Sequence, residues 1–366
     1  MTERANERLK VGVIGCGAIA QVQHLPHLRE LSDQFEIAGL CDLSPKLLQA
    51  VGDEYGVARW RRFTDFNELV KSDVDAVIVC PSGTHSTPTI AAANAGKHVL
   101  VEKPMCPTVA EARAMVEAAD RNGVVLMSAY PKRHEPAFEF AQARIAEMFQ
   151  PRYVQANHLH PDNSLHLRDF RVVRFDDVPA DIIAASNAEH REAIARELGY
   201  PTVGAMPEAI HQAYAIVLGS MIHDIANLHG LFGNPRRVIS TEIWAEGRGI
   251  TTTLEYANEL RAVCTWVDLP VLWDFEETLG VYGPRDRVVI DFPTGFSRGL
   301  PTTVTVQGID AEGNAFSTTR SWHDNPFKLE LLKFRDCVVN DMPAITPGRE
   351  AVEDVKLVGD IIRAFL

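Results

Sequence analysis

The stretch KVGVIGCGAIAQVQHLPHL, followed by EIAGLCD, constrains this chain more than any other segment. Lys10 to Ile14 read as a buried strand, Gly15 to Ala20 supply GxGxxA, and a second apolar strand ends at Asp42. Gly15 permits a tight turn, Gly17 lets the backbone approach a pyrophosphate, and Ala20 keeps the following helix against the sheet. The helix start, with Ala18 and Ile19 in its first turn, would offer N–H groups and a partial positive charge to phosphates. Asp42 stands where a carboxylate accepts the ribose hydroxyls of NAD. With Leu43 and Ser44 after it and no cation before Lys46, it would repel a 2′-phosphate, so NAD is favoured over NADP. A Gly-rich turn also serves simply to join a strand to a helix; the acidic residue closing the next strand separates this one from that reading.

Beyond Asp42, helical patterns alternate with the strands DAVIVC, KHVLVEK and VVLMSAY, which indicates a parallel, doubly wound sheet. The helix after Pro107 is well marked: Thr108 and Glu111 form a capping box, Val109, Ala112, Met115, Val116 and Ala119 an apolar stripe, and Gly123 a stop. From about Pro131 the character changes. Long helical patterns (Ala137 to Met148, Ala180 to Leu198, Pro207 to Phe232) give way to β-rich runs separated by Gly and Pro, which suggests a largely antiparallel sheet. The expectation is α/β: an NAD-binding Rossmann domain over 1–130 and an α+β substrate and oligomerisation domain over 131–366, the last helix being free to return to the first domain. Ile243, Trp244, Val263, Trp266, Val281 and Val289 put apolar residues on both sides of the second sheet, so a homodimer or homotetramer through that sheet is expected, with cover by the chain's own loops as the alternative.

The 366 residues suffice for two cores, and a formal charge of -13 argues against nucleic acid or an anionic membrane as partner. No secretory core region and no run of about 18 apolar residues is read, so a cytoplasmic protein is expected. The six cysteines form no CxxC pair and read as reduced, buried thiols.

GKHVLVEKP, together with PSGTHSTPTIAAANA and the amino-terminal GVIGCGAIA, resembles the glucose-fructose oxidoreductase, inositol dehydrogenase and MocA family. The later IHDIANLHGLFG and HDNPFKLELLKF look like family elements too. The resemblance implies a Rossmann domain, a second domain with an open sheet, and NAD- or NADP-dependent chemistry on sugars and cyclitols. It places Lys103, the lysine of EKP, beside the nicotinamide and the reacting oxygen. An ammonium with little water around it polarises a carbonyl and holds a forming alkoxide. A surface lysine before a Pro turn is the alternative. Pro81, Ser82 and His85 are assigned to the cofactor wall and Glu102 to the nicotinamide-ribose side.

His223 matches the family's helix histidine and is the candidate general acid/base. The family's carboxylate four residues earlier is replaced by Gly219, which leaves Ser220 and Asp224 as nearby substitutes and a histidine satisfied in the core as the alternative. Tyr130, Lys132 and Arg133 match the entry into the second domain and are candidate substrate contacts, as is Asp224. The stretch from Asn157 to Ala215 is longer than the family leads one to expect and contains HLHPDNSLHLRDFR. His158 and Arg168 are taken as substrate-facing; a metal held by His158, His160 and His166 is set aside, because HxH is natural on one face of a strand and nicotinamide chemistry needs none. The expected activity is hydride transfer between NAD and a sugar, cyclitol or glycoside. The rivals are redox-neutral glycoside cleavage through a transient keto-sugar, and a non-catalytic NAD sensor.

Overall fold

The computed structural model describes residues 8–297 and 299–366, which divide into two compact units. The first runs through Tyr130 and also takes Phe170–Glu197 and Phe327–Val355; the second comprises Pro131–Asp169, Leu198–Pro326 and Lys356–Leu366. The first change of unit falls at 130/131, where the sequence placed its domain boundary, but two later segments group with the first unit.

In the first unit, β1 (Leu9–Ile14), β2 (Phe35–Cys41), β3 (Arg62–Phe63), β4 (Ala76–Val79), β5 (His98–Glu102) and β6 (Leu126–Ala129) form one parallel sheet of order β3-β2-β1-β4-β5-β6. The four residues of β4 and the last four of β5 are all buried, because helices cover both faces of such a sheet and leave its strands continuously apolar. The strand order reverses between β1 and β4, the point where doubly wound sheets open a crevice. Gly15, at φ +94°, turns the chain there, and a Cβ on it would lie 2.4 Å from the Pro81 nitrogen. Leu331 and Phe334 of the helix Pro326–Val339 complete the core around Leu9, Val13, Leu40 and Ile78. The edge strand β6 is closed by Thr346, whose carbonyl accepts the Ser128 N–H and whose hydroxyl donates to the Ser128 carbonyl.

Phe170–Glu197 is tied to the glycine-loop side of this unit. The Val173 N–H donates to Gln21 Oε1 at 2.9 Å and its carbonyl accepts from Gln21 Nε2 at 3.0 Å. The same Gln21 amide reaches the Cys16 carbonyl at 2.8 Å.

The second unit carries β7 (Tyr153–His160), β8 (Arg237–Trp244), β9 (Gly249–Glu255), β10 (Arg261–Asp268), β11 (Glu276–Tyr282), β12 (Asp286–Phe292), β13 (Thr302–Ile309) and β14 (Ala315–Trp322). They form a sheet of order β14-β13-β12-β11-β7-β10-β9-β8, antiparallel except where β7 meets β10. Val154, Ala156, Cys264, Leu279 and Ile290 are buried on one face, against which the helix Pro136–Glu147 packs at β12 and β13. Trp266 and Val281 also go inside. The other face is dominated by threonines paired across strands, Thr251 with Thr265 and Thr305 with Thr319. Of the residues read as apolar on both sides, Ile243, Val263 and Val289 are only half-buried and Trp244 is exposed, so the open face is more polar than the sequence suggested. The run Glu208–Phe232 is long and apolar enough by composition to cross a membrane; half of its most apolar window is buried within the protein.

Candidate functional site

The first unit builds a site at the carboxyl ends of β1, β2, β4 and β5. The glycine turn is held by Asp42, whose Oδ2 accepts the Cys16 N–H at 2.8 Å and whose Oδ1 accepts the Ser44 N–H at 2.9 Å. A helix then starts at Ala18, as the dinucleotide motif requires. Gly17 has open space around its Cα: a methyl group placed on it would find Ser82 Oγ as its nearest neighbour, at 3.8 Å. These features fit a dinucleotide: a turn only glycine can make, room at the second glycine, and a carboxylate fixed beside both.

Lys103 is half-buried and lines a cavity of about 310 Å³ together with Pro81, Ser82, His85, Glu111 and His190. The residue before it is anchored. Glu102 is buried, and its Oε1 lies 2.8 Å from Nε2 of the fully buried His24. Burial alone would push the Glu102 carboxyl up, but the hydrogen bond and charge of His24, with the charges of Lys103 and His85, outweigh it and hold the group below its ordinary range. The result is a buried carboxylate next to the lysine in sequence, with one oxygen on His24 and the other accepting the Lys103 N–H at 3.1 Å. His85 bridges two loops: its ring nitrogens lie 2.8 Å from the Pro104 carbonyl and 2.9 Å from the Pro81 carbonyl. It thus ties the turn after β4 to the EKP segment. The six cysteines are all buried, and burial raises the Cys16 and Cys80 thiols well above their usual range, so neither is a nucleophile at neutral pH.

The second unit gathers a different group. Strand register puts Phe292, Glu277, His158 and Trp266 in one row across β12, β11, β7 and β10. Asp224 and Lys132 add charge to that row. Asp224 Oδ2 lies 3.1 Å from His158 Nδ1, and the Lys132 ammonium pairs with Glu277. His158 Nε2 lies 3.1 Å from His160 Nδ1. His158, Asp224 and Glu277 are almost fully buried, whereas His160 is half-buried and stacks on Trp266. Burial, followed by the nearby Glu277 charge, raises Asp224 above the usual carboxylate range. Burial works on Glu277 in the same direction, but the charges of Lys132 and His158 outweigh it and leave that group lowered. With Asp224 ionised and His158 neutral, His158 Nδ1–H donates to Asp224 and His158 Nε2 accepts from His160 Nδ1–H. Such a chain can move a proton from a half-buried imidazole to a buried carboxylate. His158, Asp224 and Glu277 also lie close enough to share a cation, yet the Lys132 ammonium already holds Glu277 there.

The other candidates disperse. His223 is half-buried, the second residue of the helix Ile222–Phe232. A π-helical turn, Val217–Met221, precedes that helix, and a Cβ placed on Gly219 would meet no atom of another element within 4 Å. Ser220 is directed to the neighbouring cluster, its hydroxyl accepting from Trp266 Nε1 at 2.9 Å. Arg133 donates to the Ala226 carbonyl at 2.8 Å and lies over the Phe138 ring, bracing the helix rather than reaching outward. Tyr130 is enclosed in the first unit, where burial and then Asp354 hold its phenol well above its ordinary range; an enclosed ring cannot meet a soluble substrate. Arg168 is exposed beside Asp169, and His166 lies against the Trp273 carbonyl and edge-on to the Phe275 ring, which His158 and His160 also meet. His24, Glu277 and His160 were not assigned as site residues from the sequence; for His160 the HxH spacing on a strand was the available signal.

Residues 9–130 match the family model described as an oxidoreductase family with an NAD-binding Rossmann fold. A 4-carboxy-2-hydroxymuconate-6-semialdehyde dehydrogenase of Sphingobium sp. is 32% identical over 139 residues, 37% of this chain and 43% of that protein. An inositol 2-dehydrogenase of Salmonella typhimurium is 30% identical over 155 residues, 41% of this chain and 46% of that protein. The chain spans less than half the length of either relative. Among solved structures, a 3-ketoreductase from Actinomadura kijaniata in complex with NADP and TDP-benzene superimposes with a TM-score of 0.72 at 17% identity, over 98% of both chains; at that identity the likeness is one of fold.

Proposed function

We propose that this chain, whose residues 9–130 match an oxidoreductase family with an NAD-binding Rossmann fold, is a member of the glucose-fructose oxidoreductase, inositol dehydrogenase and MocA family and an NAD-dependent oxidoreductase acting on a hydroxyl-bearing carbon of a sugar, cyclitol or glycoside. The setting of Lys103 carries this reading: a half-buried ammonium lining a cavity at the carboxyl ends of β4 and β5, next in sequence to a carboxylate that His24 locks in place. Bound NAD would supply the hydride acceptor, held by the Gly15–Gly17 turn, Ala18 and Ile19, Asp42 and the Pro81–Ser82 wall. Lys103 polarises the substrate oxygen and stabilises the negative charge that develops on it. The proton acceptor is one of two half-buried imidazoles of the second unit, His223 or His160. His160 is favoured by its buried partners His158 and Asp224, whereas His223 rests on the family motif. NAD is preferred to NADP because Asp42 carries a fixed negative charge beside the glycine turn.

Incubation with NAD and a panel of sugars, polyols and glycosides, followed at the NADH absorbance, tests the reading. Lys103→Ala should abolish the signal while NAD still binds; undiminished turnover in that variant refutes it. His223→Ala and His160→Ala then separate the two acceptors by which one loses kcat. A second reading is redox-neutral glycoside cleavage with retained NAD; cofactor that co-purifies, with product formed and no net NADH, is its signature. The open face of the eight-stranded sheet is the surface we assign to a second copy of the chain, and light scattering of the purified protein tests it.

A further inference from the structure

A carboxylate from a distant part of the chain sits in the turn that follows Asp42. Ser44 caps the helix Pro45–Glu54, its hydroxyl oxygen accepting the Leu47 N–H at 3.0 Å. A capped helix start of this length offers a hydroxyl and unbonded first-turn N–H groups to an anion. Here the anion is Asp177. Its Oδ1 accepts the Ser44 hydroxyl and its Oδ2 accepts the Lys46 N–H at 3.0 Å. Lys46, the only cation from Asp42 to Leu48, faces the same carboxylate, whose acidity the Ser44 bond and the Lys46 charge both increase. The segment bearing Asp177 is held in place by the reciprocal Val173–Gln21 pair and by Val173 packing on the core.

In a dinucleotide fold the strand-ending acid meets the adenosine ribose, and a 2′-phosphate must find its donors or a cation in the turn just beyond. In this chain those donors are occupied. We propose that Asp177 is a specificity-determining residue: its carboxylate fills the anion position that a 2′-phosphate would use, so that the site takes NAD and rejects NADP. The inference rests on the dinucleotide reading above and assigns to Asp177 a discrimination that Asp42 alone was expected to supply. A 2′-phosphate would bring about two negative charges up to two fixed carboxylates, with the local hydroxyl and amide donors already engaged.

The test is the dissociation constant of NAD and of NADP for the full chain, measured by calorimetry, in the wild type, Asp177→Asn, Asp177→Lys and, as a control without a role here, Asp176→Asn. Asp177→Asn removes the charge and keeps one oxygen, which can accept from the Ser44 hydroxyl while the Lys46 N–H loses its carboxylate acceptor. The wild type should bind NAD at least about a hundredfold tighter than NADP. Asp177→Asn should tighten NADP about tenfold or more and leave NAD within about threefold, Asp177→Lys should go further, and Asp176→Asn should do neither. An unchanged NADP-to-NAD ratio in both Asp177 variants overturns the inference, as does equal binding of the two cofactors by the wild type. Equal weakening of both cofactors also overturns it, because the carboxylate would then only hold the segment in place. A wild type that binds neither cofactor is a different failure: it removes the dinucleotide reading itself.

Discussion

Glu135 should make the second unit less stable at neutral than at mildly acidic pH. The residue sits at the start of the helix Pro136–Glu147 and is 4% exposed. Burial pushes its carboxyl from 4.5 up to about 7, a shift the Thr302 hydrogen bond and the Lys132 charge only partly offset. Between those two values the folded chain keeps a proton that the unfolded chain releases. Folding therefore takes up a proton in that window, and stability falls as pH rises from about 4.5 to about 7, then levels off. At about 1.4 kcal/mol per pH unit, the gap is worth about 3 kcal/mol. Glu135→Gln resembles the neutral acid and escapes the loss. Urea unfolding at pH 5 and pH 8 measures it: the variant should exceed the wild type by up to about 3 kcal/mol at pH 8 and by little at pH 5. An equal difference at both pH values refutes the argument, because the effect would then lie in packing rather than in proton uptake.

Gly15→Ala combines a left-handed φ of +94° with a methyl placed 2.4 Å from the Pro81 nitrogen; it should cost about 1–3 kcal/mol of stability and weaken NAD at least about tenfold, and a variant unchanged in both Tm and Kd contradicts the close approach. Asp224→Asn removes the charged end of the His158–His160 chain, so kcat should fall at least about tenfold with NAD affinity preserved; a full kcat excludes the relay. Gly219→Asp has open space to occupy and restores a carboxylate four residues before His223. It should fold normally and, by favouring the imidazolium, move the acid limb of the pH–rate profile upward by about half a unit to one unit. An unmoved profile argues that His223 is not the acceptor.

Much of the first unit was legible because its signals are local. The apolar runs of β4 and β5 announce strands buried on both faces, and Thr108, Glu111 and Gly123 bracket the helix Val109–Asn122, with Gly123 at φ 64°. In the second sheet β8 to β13 were legible from their turns, whereas β14, Ala315–Trp322, was not read. The site was less so. Lys103, His158 and Asp224 were named from motif or spacing, but the pairing of His24 with Glu102 joins residues 78 apart, and nothing in either neighbourhood points to the other. The row Phe292, Glu277, His158, Trp266 exists only once the register of four strands is set. A helical pattern also does not say which core it serves, so the helix Ala180–Glu197 was correctly bounded to within a residue while its membership in the first unit stayed hidden. The π turn at Val217–Met221 inserts its extra residue without disturbing the apolar period, and so reads as plain helix.

That later membership has a practical side for anyone dissecting the molecule. A truncation after Tyr130 would look like a clean excision of the nucleotide-binding half, yet it would strip β6 of its Thr346 partner, remove Leu331 and Phe334 from the core, and leave Gln21 and Ser44 without Val173 and Asp177. Such a fragment would emerge with a raw sheet edge and a hollowed interior, prone to aggregate, and its cofactor preference would not report that of the parent.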